Sequence, residues 1–419
     1  MTAQPDGDPP AGGDPRGDGT TRHTAGPLAG VRVLEMGQLI AGPFAGQLLG
    51  DLGADVVKIE DPSRGDPIRT WGRELPQGQS LWWSILGRNK RSVTINLRSA
   101  EGQDLVRRLA AESDILVENF RPGTMERWGL GYDRLSELNP GLVMVRVSGF
   151  GQDGPYAERP GYGAIGEAMG GLRYVVGDPS TPPSRTGISI GDTLAAMFAT
   201  IGALAALQER QVTGRGQVVD SAIYEAVLGV MESLVPEWTS GGFQRERTGA
   251  ILPKIAPSNV YPTSDEGWIL IAANQDTVFR RLAEAMGQPE LADDERFATH
   301  VARGEHQAEL DDLVAAFSRG RTLAQVEGLL NAHGVPNGRI YRPRDMVEDP
   351  HFLARESVTT VPHPVLGEVT MQNVFPRLSR TSGGVRWPGP PLGEHTQEVL
   401  DRIGVTGEQV AALREAGVV

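Results

Sequence analysis

The segment from Val31 to Glu60 fixes the class of fold open to this chain. Val31-Arg32-Val33-Leu34-Glu35 reads as a short strand. Ala41-Gly42-Pro43-Phe44 starts a helix, because proline near the first helical position lacks only an N–H that the helix does not use. That helix runs through Leu48 and Leu49 to about Leu52, where Gly53 ends it. Asp55-Val56-Val57-Lys58-Ile59-Glu60 is the next strand. Two strands joined through a helix form a βαβ unit, with both strands parallel and buried. The alternation continues with a strand over Ser92–Leu97, a helix over Ala100–Ala111, and strands over Ile115–Glu118 and Leu142–Val147. The expected class is α/β, with an open, doubly wound sheet of Rossmann-like type. Ligands of such a sheet sit beyond the C-terminal strand ends. No GxGxxG follows the first strand, so a dinucleotide site of the usual type is not supported.

Composition removes several function classes. The net charge of −13 argues against a nucleic-acid footprint, so an anionic ligand needs a local basic patch or helix N-termini. There are no cysteines, which rules out disulfides, thiolate metal sites and a cysteine nucleophile, and fits a reducing cytoplasm. The seven histidines are scattered without metal-binding spacing, so no metal is expected. No run approaches the roughly 18 apolar residues of a membrane span, and the start lacks a signal-peptide core. Residues 1–26 are rich in Gly, Pro, Asp and Thr and are expected to form a disordered tail.

The domain plan follows from where the pattern changes. Residues 27–224 carry the alternating segments of a large Rossmann-like domain. Residues 225–345 read as a smaller α/β domain with linkers, containing a strand at Trp268–Ala272 and helices around Leu310–Phe317 and Leu323–Leu330. Residues 346–419 read as an extended return linker with strand candidates at Val358–Val361 and Gly367–Met371, ending in a helix over about Gly407–Glu415.

Asp192 is the candidate for chemistry. It closes the strand-like run Thr186–Gly191 and opens a long apolar helix carrying Leu194, Met197, Phe198, Ile201, Leu204 and Leu207. The free N–H groups of a helix start collect negative charge, so the residue reads either as an N-cap or as a catalytic carboxylate.

Several segments together resemble the class III CoA-transferases, the family of formyl-CoA and carnitine CoA-transferases that also includes α-methylacyl-CoA racemases. They include Pro27–Val33, Ala41-Gly42-Pro43, Gly53–Glu60, Asn89-Lys90-Arg91-Ser92, Asp114–Phe120, Ser148–Gln152, Gly191-Asp192, Thr213–Gln217 and Leu392–Thr396. The resemblance runs from about residue 27 to the C-terminus and implies a CoA-transferase moving CoA from an acyl-CoA to a carboxylic acid. It implies that Asp192 is the nucleophile, forming an acyl anhydride and then an aspartyl-CoA thioester. It implies that Ala41, Arg98, Asn119 and Arg127 lie along coenzyme A. It also implies an interlocked, ring-like homodimer whose active site lies between the large domain of one chain and the small domain of the other.

Departures from the family qualify the specificity. A family arginine is Asp61 here, with Arg64 as a substitute. Ile40 and Gly163 replace a glutamine and a glutamate near the acyl group of formyl-CoA transferase, which argues against formyl or oxalyl groups. Tyr162 stands where the racemase branch has histidine, and a phenol is a poor base at neutral pH; racemase and non-catalytic CoA-binding protein are the alternatives. Glu167 is a second carboxylate, read as a structural hydrogen-bonder. Arg173, Arg245, Arg247 and Lys254 suggest a dicarboxylate branch such as succinate, malate or citramalate, since a basic residue would pair a second carboxylate.

Overall fold

A computed structural model describes residues 26–419; the expected tail over 1–26 lies outside the described residues except for Gly26. The main sheet has six parallel strands: β1 (Arg32–Glu35), β2 (Asp55–Glu60), β3 (Lys90–Thr94), β4 (Ile115–Glu118), β5 (Val143–Ser148) and β6 (Val218–Ala222). Their spatial order is β3-β2-β1-β4-β5-β6. The chain therefore reverses its direction of travel across the sheet between β1 and β4, and a crevice opens there at the C-terminal strand ends.

Successive residues of each strand enter opposite cores, as the two-residue side-chain period requires. Val33, Val56, Ile115 and Val143 face the helices Ala41–Asp51 and Ile190–Thr213. Leu34, Val57, Leu116 and Met144 face the helix Ala100–Ala111 together with Val399, Leu400, Val405 and Val410 from the C-terminal segment. The end of the chain thus packs on the sheet begun by its start. Each fully buried Leu, Ile or Val contributes roughly 1.5–3 kcal/mol.

The helix Ile190–Thr213 is long and apolar enough to cross a membrane by length and composition, contrary to the expectation that no run comes near one. In this fold it is a core helix on one side only. Ala195, Ala196, Ala199 and Ala203 press onto the sheet, while Met197, Phe198 and Ile201 remain exposed.

A second core forms around an antiparallel sheet of β7 (Ser258–Pro262), β8 (Trp268–Ala272) and β9 (Asn337–Arg339), in the order β7-β8-β9. The strands β10 (Val358–His363) and β11 (Gly367–Gln372) form a separate hairpin.

Three local expectations are corrected. The strand expected over Ser92–Leu97 begins at Lys90, because Lys90 is hidden in the sheet against Glu35 and so breaks the apolar pattern. No strand forms over Thr186–Gly191; the helix already begins at Ile190. The edge strand β6 was not expected, since Val-Val-Asp-Ser-Ala is short and half polar.

Candidate active site

The β1 loop and the β4 loop build a cavity of about 270 Å³ at the switch point of the sheet, from Gln38–Ala41 on one side and Asn119–Pro122 on the other. The start of the helix Ala41–Asp51 folds back on the β1 loop. A Cβ on Gly37 would lie 2.8 Å from the Gly42 Cα, so a side chain there would force the two segments apart. Asp192, Arg159 and Tyr162 complete the wall.

Asp192 is the third residue of its helix and not its cap. Ser189 takes the cap position without a side-chain cap bond, and its hydroxyl accepts from Arg185 Nη2 at 3.2 Å. Among the described residues, the Asp192 side chain has no hydrogen-bond partner or ion pair. Burial pushes its pKa up to about 6, with the Glu167 charge adding to the rise and Arg185 opposing it. Its carboxyl lies over the first residue of the helix Gly163–Met169. A Cβ on Gly163 would lie 2.6 Å from Asp192 Cγ, so only glycine leaves room for this carboxylate. The result is a half-buried carboxylate, unpaired among the described residues, in the lining of the cavity.

Glu167 differs on every count. It is 1% exposed, accepts from Arg173 Nε at 2.8 Å, and takes the Gly191 N–H at 3.4 Å. It pins the turn before Asp192.

Gln38, Phe120 and Arg121 are shared with a second cavity of about 310 Å³, which continues the groove toward Arg64 and Arg98. Arg98 is 3.7 Å from Asp61 but remains largely exposed, and Arg64 lines the same cavity. The groove therefore runs from a lone carboxylate at one end to a cluster of arginines at the other, which suits a reactive acyl group joined to a phosphorylated tail.

A model described as CoA-transferase family III matches residues 28–396. The chain belongs to that family. It is 59% identical to a succinyl-CoA–D-citramalate CoA-transferase of Chloroflexus aurantiacus, over 94% of this chain and 98% of the relative. It is 42% identical to the beta subunit of a succinyl-CoA–L-malate CoA-transferase from the same organism, over 96% of this chain and all of the relative. A crystal structure of a CaiB/BaiF family protein from Brucella suis superposes with a TM-score of 0.81 at 35% identity, covering 90% of this chain and 100% of that one.

Within this CoA-transferase, the residues singled out from the sequence do not all converge. Ala41, Asn119 and Asp192 line the first cavity and Arg98 the second. Arg127 lines neither; it is exposed, with Nη2 donating to Thr124 Oγ1 at 2.9 Å. Of the basic residues linked to a dicarboxylate, Arg173 is held by Glu167 and Arg245 by Glu232 and Glu237. Lys254 lies 3.5 Å from Glu305 at the surface. Arg247 donates, among the described residues, only to the Tyr174 carbonyl, at 3.2 Å. Sequence reasoning missed Arg159 and Arg121. Arg159 stacks 3.6 Å over the Tyr156 ring and has no acidic partner among the described residues. Its one signal in the sequence is its place in the segment Arg159-Pro160-Gly161-Tyr162.

Proposed function

We propose that this enzyme moves CoA from succinyl-CoA to a second dicarboxylic acid, with Asp192 as the covalent nucleophile. The Asp192 carboxylate attacks the thioester carbonyl, the C–S bond breaks, and CoA thiolate leaves an aspartyl acyl anhydride. The thiolate attacks the aspartyl carbonyl, releasing succinate and leaving an aspartyl-CoA thioester. The acceptor carboxylate attacks that thioester and expels the thiolate, which then takes the acceptor's acyl group and restores Asp192. No water enters, so the thioester energy is retained.

The observation that carries this reading is the unpaired, half-buried Asp192 carboxylate lining the cavity between the β1 and β4 loops. Relatives named for succinyl-CoA with citramalate and malate, and one for succinate and glutarate, support the substrate class. Arg159 is the side chain suited to a second carboxylate, and Arg64, Arg98 and Arg121 suit the CoA phosphates. The residues lining the Asp192 cavity include no histidine, so the racemase reading lacks its second base.

The working unit we propose is an interlocked homodimer in the cytoplasm. A large domain from 27–224 is completed by 346–419, and a small domain spans 225–345. The return of the C-terminal segment to the first sheet and the exposed apolar face of Met197, Phe198 and Ile201 support it.

The test is an activity screen of succinyl-CoA and acetyl-CoA against a panel of mono- and dicarboxylic acids, with a 2-methylacyl-CoA incubated separately in D2O. Transfer from succinyl-CoA to dicarboxylates, without deuterium entering the α-position of a 2-methylacyl-CoA, is expected. Rapid α-exchange with no acceptor present would overturn the reading.

A further inference from the structure

Beneath the β1 loop, four charged side chains sit together out of solvent: Glu35, Lys58 and Lys90 are 0% exposed and Asp66 2%. Lys58 Nζ lies 3.0 Å from Glu35 Oε1 and 2.8 Å from Asp66 Oδ2, and it donates to the Gly37 carbonyl. Lys90 Nζ donates to Glu35 Oε2 at 2.9 Å and to the Pro43 carbonyl at 2.6 Å. Asp66 Oδ1 accepts the Leu39 N–H at 3.0 Å. From the other side, Asn119 Oδ1 accepts the Gln38 N–H at 2.7 Å and its Nδ2 donates to the Gln38 carbonyl at 2.9 Å. Gly37, Gln38, Leu39 and Pro43 are therefore each bonded by an inward-facing side chain.

Such a cluster is a costly way to stabilise a fold. Buried ion pairs often do no better than apolar side chains of equal volume. The loop they hold is itself strained, because Leu39 adopts a φ of 65°, a conformation that a bulky residue avoids. Strain of this kind persists only where surrounding contacts over-determine it. Gln38, Leu39, Ile40 and Ala41 are the residues that this strained backbone presents to the Asp192 cavity.

We propose that Glu35, Lys58, Asp66 and Lys90, with Asn119 opposite, are positioning residues that hold the β1 loop in the one shape that accepts acyl-CoA. Asn119 acts through Gln38, since both ends of its amide are engaged there. This rests on the reading of the groove as the acyl-CoA site.

Hydrogen–deuterium exchange of the full-length protein, read on peptides covering residues 36–42, tests it. In the wild type without ligand, the Gln38 and Leu39 amides exchange slowly although they lie in a loop. Asp66→Ala and Lys58→Met speed that exchange and raise the KM for acyl-CoA by roughly tenfold or more, with the acceptor-acid KM within about threefold of wild type. Asp66→Asn keeps an acceptor for the Leu39 N–H but removes the charge facing Lys58 Nζ, so it falls between wild type and Asp66→Ala in both exchange and acyl-CoA KM. Folded Asp66→Ala or Lys58→Met protein with wild-type KM overturns the proposal. So does fast exchange of both amides in the wild type, a measurement that decides the matter even where the variants fail to fold. Added CoA separates the two readings. If it protects none of the groove-lining segments 36–42, 95–98 and 119–122, the groove is not the CoA site, while the dependence of exchange on Asp66 still reports on the cluster.

Discussion

Replacing Asp192 by asparagine is expected to abolish activity and, at neutral pH, to stabilise the fold. The carboxyl titrates near 6 in the folded chain, chiefly because it is buried and secondarily because Glu167 is near; in the unfolded chain it titrates near ~3.9. An acid whose folded pKa is raised binds its proton more tightly when folded. Stability is therefore lost as pH climbs from about 4 to about 6 and stays lost above that. At about 1.4 kcal/mol per pKa unit the loss is up to about 3 kcal/mol, less whatever solvent screens at the cavity mouth. The neutral amide of the Asp192→Asn variant escapes it. With an unfolding entropy of about 2.1 cal/mol/K per residue, 3 kcal/mol corresponds to a Tm rise of about 3 °C in a chain of 419 residues. Calorimetry of wild type and Asp192→Asn from pH 5 to 8 measures it, and the gap between them should open up to pH 6–7 and then level off. A variant that melts at or below wild type at pH 7.5, or a gap independent of pH, would refute the assignment of a desolvated, unpaired carboxylate.

Gly163→Ala places a methyl group where the Asp192 carboxyl lies; kcat should fall by about a hundredfold or more, as misplacement by an ångström costs, while the KM for acyl-CoA changes little in steady-state assays. Arg98→Ala and Arg121→Ala should each raise the KM for acyl-CoA roughly tenfold through loss of a charge-assisted phosphate contact. Arg127→Ala, outside both cavities, should have a smaller effect, and equal effects at all three would move the nucleotide toward Arg127. Sedimentation should give about twice the chain mass of 44.9 kDa, with negligible exchange between tagged and untagged subunits; a monomer at micromolar protein would contradict interlocking.

The parallel sheet was legible because β1, β2, β4 and β5 each carry a short, mainly apolar run whose alternate residues serve two cores. Legibility failed where charge was buried. Lys90 hides inside β3 against Glu35, so an apolar pattern starts the strand two residues late. It failed also at β6, a short edge strand whose Asp220 and Ser221 give no periodic signal. Asp192 was legible as a carboxylate at a helix start, but its exposure to a cavity depends on Gly163, Arg185 and Glu167, and those contacts exist only after folding. Gly163 looked like a lost glutamate; in the fold it is the space that the Asp192 carboxyl fills. Arg159 and Arg121 were invisible because a single arginine in a loop carries no pattern.

Covalent acylation of Asp192 can be trapped chemically. The wild-type enzyme is incubated with succinyl-CoA, quenched with hydroxylamine or borohydride, digested, and read by mass spectrometry. A hydroxamate or alcohol is expected on Asp192, absent from protein not exposed to acyl-CoA and absent from the Asp192→Asn variant. Modification at another carboxylate such as Glu167, or an Asp192→Asn enzyme that still turns over as wild type does, would contradict it.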